Sequence, residues 1–454
     1  MTSVAHPNGT YVEQFRRAGE APSGTAGVPG GPSACAELVE VKQAALDRFV
    51  ELGFPTMRHE DWRFTNTARI AETAFQLAGP GNTAFDATFM AFMAAQTLDA
   101  DWPRLVLVNG YYCAELSCTK GLPDSIHAGS LAASTSGAIE AHLTRHAQWK
   151  TQPFTALNTA FLSDGAIVHV AAGTDCPQPV HVVYVSTPGA DPQVSHPRGL
   201  IVAEAGSRVT VIESYVGPGG GDYFTNAVTE IVAGDNTTVD HYKIVREHDR
   251  AYHVGTTHIH QGRDSSVTSH SVTLAGALVR NDLIAEIDGE GAVCTLNGLY
   301  ITRDRSHVDN HLRVEHLKPH GDSRQHYKGI LDGHSHAVFT GRINVHKDAQ
   351  KTDAKQTNKN LLLSEDAQID TKPQLEIFAD DVKCTHGATI GQLDEDAIFY
   401  LRSRGIREDA ARGVLLLAFA QESVDRVRPA PLRSRLQDAV GELLGQGRVL
   451  QEAI

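Results

Sequence analysis

The sequence predicts a mainly β protein, a β-solenoid of the parallel β-helix type, with helical regions before and after it. Three observations carry this. From Ile167 onward, short β-branched runs such as Val180–Val185, Leu200–Val202, Val209–Glu213, Ala227–Val232 and Val239–Val245 alternate with glycine-rich turns. Gly206, Gly234 and Gly262 then recur at a spacing of 28, each followed by polar-alternating sequence, and Asp288-Gly-Glu-Gly291 continues the series one residue out of phase. A fixed glycine period in β sequence means stacked coils, none of which can bury its apolar side alone. Finally, the sequence changes to helical periodicity after Gly391.

Taken in order, residues 1–34 read as a short amphipathic start followed by a mostly disordered segment, because Gly19–Pro32 holds too little apolar surface to offset its ordering entropy. Residues 35–103 form a helical N-terminal region. Leu38, Val41, Ala45, Phe49 and Leu52 fall at three- and four-residue steps, and Gly53 with Pro55 supplies a stop. The stretch Leu52–Thr65, dense in Trp, Arg and Glu, reads as a packed, hydrogen-bonded loop. The core spans 104–390, opening with the strand Leu105–Val108 and its Asn109-Gly110 turn, with a helical interlude near 129–149. Residues 391–454 form a helical C-terminal domain. Asp394–Arg404 places acidic residues first and basic residues last, as the helix dipole favours. The helix Glu408–Val427 is apolar over most of its surface, and it buries either on its own neighbours or on a partner subunit.

A formal net charge of −14 argues against nucleic acid or an anionic membrane as the main partner. No run reaches the roughly 18 apolar residues of a membrane helix. Met1–Gly9 lacks a basic region followed by an apolar one, so no secretory leader and a cytoplasmic location are expected. Six cysteines without framework spacing are expected to be reduced thiols. Of the 23 histidines, 15 lie from His241 onward, a pattern that fits solvated β faces. His258 with His260 and His334 with His336 alternate as outer-face strand residues would, without a nearby third ligand for zinc.

The candidate site is the pair Cys384 and His386. Two residues apart on an extended strand, they project from one face. A thiolate and an imidazole are suitable ligands for a soft metal or an iron–sulfur cluster. Two ligands do not close a coordination shell, so the pair is a half-site that needs a partner; the competing reading makes Cys384 a small core residue. Two other classes compete for the whole chain. A β-helix enzyme acting on acidic polysaccharide would use carboxylates such as Asp282, Glu286 and Asp288. A histidine-rich metal-binding module would use the paired histidines.

Four motifs carry a resemblance. They are Gly53-Phe-Pro-Thr-Met-Arg-His-Glu-Asp-Trp-Arg-Phe-Thr65, Leu105-Val-Leu-Val-Asn-Gly110, Phe154-Thr-Ala-Leu-Asn-Thr-Ala-Phe-Leu-Ser-Asp-Gly165, and the long run from Lys351 through Asp380-Asp-Val-Lys-Cys-Thr-His-Gly387 to Phe399-Tyr-Leu-Arg-Ser-Arg-Gly405. On these the chain resembles the SufB/SufD family of SUF iron–sulfur cluster assembly scaffolds. Trp62-Arg-Phe-Thr65 and the glycine after His386 place it nearer the SufD branch, since the SufB branch has an acidic residue at that glycine. The resemblance implies a right-handed parallel β-helix and a non-enzymatic scaffold subunit. It implies pairing of the β-helix with SufB and docking of the ATPase SufC on the C-terminal helices. A transient iron–sulfur cluster would be shared with SufB at His386, with Cys384 the less secure ligand. A homodimer is the alternative assembly for the isolated chain. The family's complex has been associated with a reduced flavin, but this chain holds no dinucleotide fingerprint. It holds no phosphate loop either, so ATP hydrolysis would belong to SufC.

Overall fold

The computed structural model describes residues 7–20, 36–80 and 85–445. Residues 21–34, the greater part of the segment expected to be disordered, lie outside them. The core is a β-solenoid of about eight turns. Each coil gives one strand to each of two parallel sheets that face one another across a narrow lumen. The first sheet ends, at the C-terminal side, in Leu278–Ile287, His307–His316, His336–Val345 and Gln368–Ile377; the second ends in Val293–Thr302, Asp322–Leu331, Asp353–Leu362 and Lys383–Gly391. Inward side chains from successive coils stack in columns and form one long core, from Leu105 and Val168 at one end to Phe339 and Ala367 at the other.

The glycine period has a physical cause, though not quite the expected one. Tyr223 pairs with Ala251, and Thr238 with Ser266, so the coil there is 28 residues long. Gly234 and Gly262 are true equivalents at one corner. A Cβ on Gly262 would stand 3.0 Å from the Gly234 carbonyl carbon, so the stacked corners touch backbone to backbone. Gly206 differs. Ala203 pairs with Ala233 across a coil of 30, so Gly206 matches Asn236 rather than Gly234. Gly206, Asn236 and Asp264 hold the left-handed corner, at φ 73°, 56° and 53°. Glycine and short polar side chains tolerate that conformation best.

The two ends of the solenoid are unlike. At the N-terminal end, Ile126–Ser130 runs antiparallel to Ala166–Val170, and Tyr111–Tyr112 runs antiparallel to Arg104–Val108, which caps both sheets. At the C-terminal end, Gln368–Ile377 and Lys383–Gly391 each have one neighbour only among the described residues.

Helices cover the outer faces. Pro7–Glu20 and Ala36–Leu52 lay Tyr11, Ala45 and Phe49 with Trp62, Phe154 and Phe224 against the first sheet. Leu52–Thr65 is a packed loop, as expected. It contains a single 3-10 turn, Glu60–Trp62, and the buried Trp62 ring lies 3.8 Å from the Arg280 guanidinium. Glu408–Val424 and Ala430–Leu443 bury Leu416, Ala420, Val424, Leu432 and Leu436 on the outer face of the second sheet, against Tyr242, Val272, Leu299 and Ile330. The apolar C-terminal helix is therefore satisfied within the chain. No described helix is long and apolar enough to cross a membrane.

Candidate interface half-site

Cys384 and His386 lie on the last strand of the second sheet. Cys384 pairs with Ala354 and His386 with Gln356. Both belong to the inward-facing set, because Cys384 packs beside Ile343, Ala349 and Ala354 at the end of the core. Cys384 is half-buried and His386 is exposed. Among the described residues no strand pairs beyond the final coil, so its inward row opens at the mouth of the lumen. Burial pushes the Cys384 thiol up, while a backbone hydrogen bond at Ala354 opposes this weakly. A protonated thiol is the resting form, and a nearby cation is needed to make it a ligand.

Exposed apolar side chains concentrate on the terminal coil and the helix that follows it. Ile377, Phe378 and Ile390 on the terminal coil, and Phe399 and Tyr400 on the following helix Glu395–Ser403, make up half of the large exposed hydrophobic side chains among the described residues; Phe378 is 65% and Phe399 71% exposed. Exposed apolar patches of this kind mark interaction sites. The two edge strands are also unequally defended. Gln368–Ile377 carries Asp370, Lys372, Pro373 and Glu376, residues that discourage edge pairing. From Cys384 to Gly391 there is no charged residue and no proline. The strand with Cys384 and His386 is the one left open to another backbone.

The other candidates are committed elsewhere. Asp282 is bound by Arg280 at 2.7 Å, and Arg280 also reaches Asp309 at 2.5 Å. Glu286 lies 3.3 Å from His258 and 3.8 Å from His260, and Asp288 lies 3.9 Å from Lys318. His334 and His336 each face an aspartate, Asp366 at 3.4 Å and Asp370 at 2.8 Å. The expectation of solvated histidines needs correction. His241, His253, His258, His270 and His316 are buried. Four of them are held by internal partners: Glu213 at 2.8 Å, Glu247 at 2.8 Å, Ser423 at 3.2 Å and Ser323 at 2.9 Å respectively for His241, His253, His270 and His316. Strand alternation does not say which face is wet when both faces of a sheet are covered. Among the described residues no three or more His, Cys, Asp or Glu side chains come together to hold a metal.

Family comparisons bear on this geometry. A family model described as the SufBD core domain of SUF system FeS cluster assembly matches residues 184–419, and one for the SufBD protein N-terminal region matches residues 32–182. The chain belongs to the SufB/SufD family. It is 36% identical to an iron–sulfur cluster assembly SufBD family protein of Synechocystis over 89% of this chain and 90% of that one. It is 32% identical to the iron–sulfur cluster assembly protein SufD of Escherichia coli over 89% and 93% of the two chains, and 26% identical to SufD of Bacillus subtilis over 63% and 65%. Its role is in iron–sulfur cluster assembly by the SUF system. The signals that sequence reading missed are the unguarded edge strand and the apolar residues around it, although the absence of charge after Lys383 was visible.

Proposed function

We propose that the chain is a non-catalytic, cytoplasmic scaffold subunit whose terminal coil meets a SufB-type partner, and that His386, with Cys384 beside it, supplies half of the ligands for a nascent iron–sulfur cluster. The cluster is cargo, held transiently and passed on. The observation that carries this is the coincidence, at the terminal coil, of the Cys384–His386 pair, an undefended edge strand and exposed apolar side chains. Backbone pairing along Cys384–Gly391 would bring the partner's ligands within reach of the mouth.

A SufC-type ATPase would dock on the C-terminal helices, for which the exposed Phe399 and Tyr400 are suitable anchors. Motion of those helices has a route to the site. Lys328 donates to the Phe419 carbonyl at 3.0 Å and also bonds Glu422, and its strand is two ladder steps from Lys383–Gly391.

In cells dependent on this system, His386→Ala is expected to abolish cluster maturation while the chain still co-purifies with both partner subunits. Normal maturation in that variant would refute the half-site.

A further inference from the structure

We propose that Gln356 is a positioning residue for His386: its amide is the hydrogen-bond partner of the imidazole nitrogen that does not take the metal, directly or through water also held by Gln325. The inference rests on the reading of His386 as a ligand. Gln325, Gln356 and His386 are successive Cα partners in the last three coils of the second sheet and stand in one inward column. Gln325 is 0% and Gln356 2% exposed, yet neither the oxygen nor the nitrogen of either amide has a hydrogen-bond partner. An amide buried without a partner is destabilising, because it gives up its hydrogen bonds to water and gains none. Four idle amide atoms in adjoining coils, directly behind an open histidine, therefore require something to bind.

The rest of that wall is satisfied at the same level. Ser323 bonds His316 at 2.9 Å, Asn358 accepts from Thr371 at 3.0 Å, and Asn360 donates to Asn358 at 2.7 Å. Single unpaired amide atoms occur elsewhere in the solenoid, but among the described residues Gln325 and Gln356 are the buried amides with both polar atoms unpaired, and both stand in the column that ends in His386. The opposite wall makes room for them: a Cβ on Gly341 would stand 1.6 Å from Gln356 Nε2. A metal-bound histidine ordinarily donates its second ring N–H to an acceptor that fixes tautomer and ring angle. The Gln356 carbonyl oxygen is a neutral acceptor, so it can do this without adding charge at the mouth.

The test uses the full chain labelled with 15N-histidine, with His386→Ala to identify the signal. In the native chain the neutral His386 ring is expected to hold one dominant tautomer. Gln356→Leu should leave a mixture of both, and Gly341→Ala, which displaces the amide without changing its chemistry, should do the same. Gln356→Glu, which keeps an acceptor oxygen at that position, should retain the single tautomer. Cluster maturation in cells should fall about 10- to 100-fold in Gln356→Leu. If Gln356→Leu fails to fold, the other two variants decide. An unchanged tautomer in Gly341→Ala, and in Gln356→Leu where it folds, with His386→Ala still blocking maturation, overturns the inference alone. Normal maturation in His386→Ala overturns the reading beneath it, whatever the nitrogen spectra show.

Discussion

At the scale of residues, the chemistry depends on what burial does to each group. Cys384 is a thiol at rest because its surroundings disfavour the thiolate. It is therefore expected to alkylate more slowly than the exposed Cys118 when the isolated chain is treated at pH 8; mass spectrometry of the two peptides checks this, and equal rates would remove the argument that a partner must activate it. Deeper in the fold, Arg198 and Glu230 form a fully buried ion pair, and Glu230 also accepts from the backbone N–H groups of Thr144, His146 and Ala147. Breaking such a pair leaves an uncompensated charge, so Glu230→Gln should cost about 3–5 kcal/mol in chemical denaturation. Nothing in the local sequence of either residue announced this bond, which spans 32 positions. The Cys-x-His pair was legible because its chemistry needs only two residues of one strand. Its amide support was not, because Gln325, Gln356 and His386 become neighbours only when coils of 31 and 30 residues stack.

At the scale of elements, the C-terminal helices show how far periodicity reaches. The apolar run in Glu408–Val424 was plain in the sequence, but its partner was open, and the structure assigns it to the second sheet. Deleting residues 394–454 would strip the cover from Tyr242, Val272, Leu299 and Ile330, so loss of the ATPase after such a deletion would mean little. Point changes on the outer helix are cleaner. Phe399→Ala combined with Tyr400→Ala removes side chains that are mostly exposed, so thermal stability should change little while co-purification with a SufC-type ATPase falls at least tenfold. Retained stoichiometric ATPase would place the docking surface elsewhere. The glycine repeat was equally instructive. Gly234 and Gly262 did mark the coil length, whereas Gly206 matched the same spacing by accident of position.

At the scale of the whole molecule, the solenoid stores many neutral histidines. Burial holds His181, His196 and His270 at about 3, and His307 and His316 at about 4. Their folded pKa values lie below the unfolded value of about 6.5, so between these limits the unfolded chain binds more protons. Stability therefore rises with pH through that window and is lost as pH falls below about 6.5, by about 1.4 kcal/mol per pH unit for each histidine. Urea unfolding midpoints measured from pH 7.5 down to 5 should drop steeply, and His181→Gln should flatten part of the slope. The histidine enrichment was obvious in the sequence. Its meaning was not, since neutral core histidines and solvated ones share the same strand pattern.

On the proposed reading the chain is one half of an assembly surface, its solenoid capped at the start and open at the end. The most direct measurement is anaerobic reconstitution with iron and sulfide, followed by absorbance, on the isolated chain, on its complex with SufB-type and SufC-type partners, and on the same complex carrying His386→Ala. A half-site should give no stable cluster alone, a cluster in the complex, and its loss in the variant with subunit stoichiometry unchanged. A stable cluster on the isolated chain, or an undiminished one in the variant complex, would contradict the account.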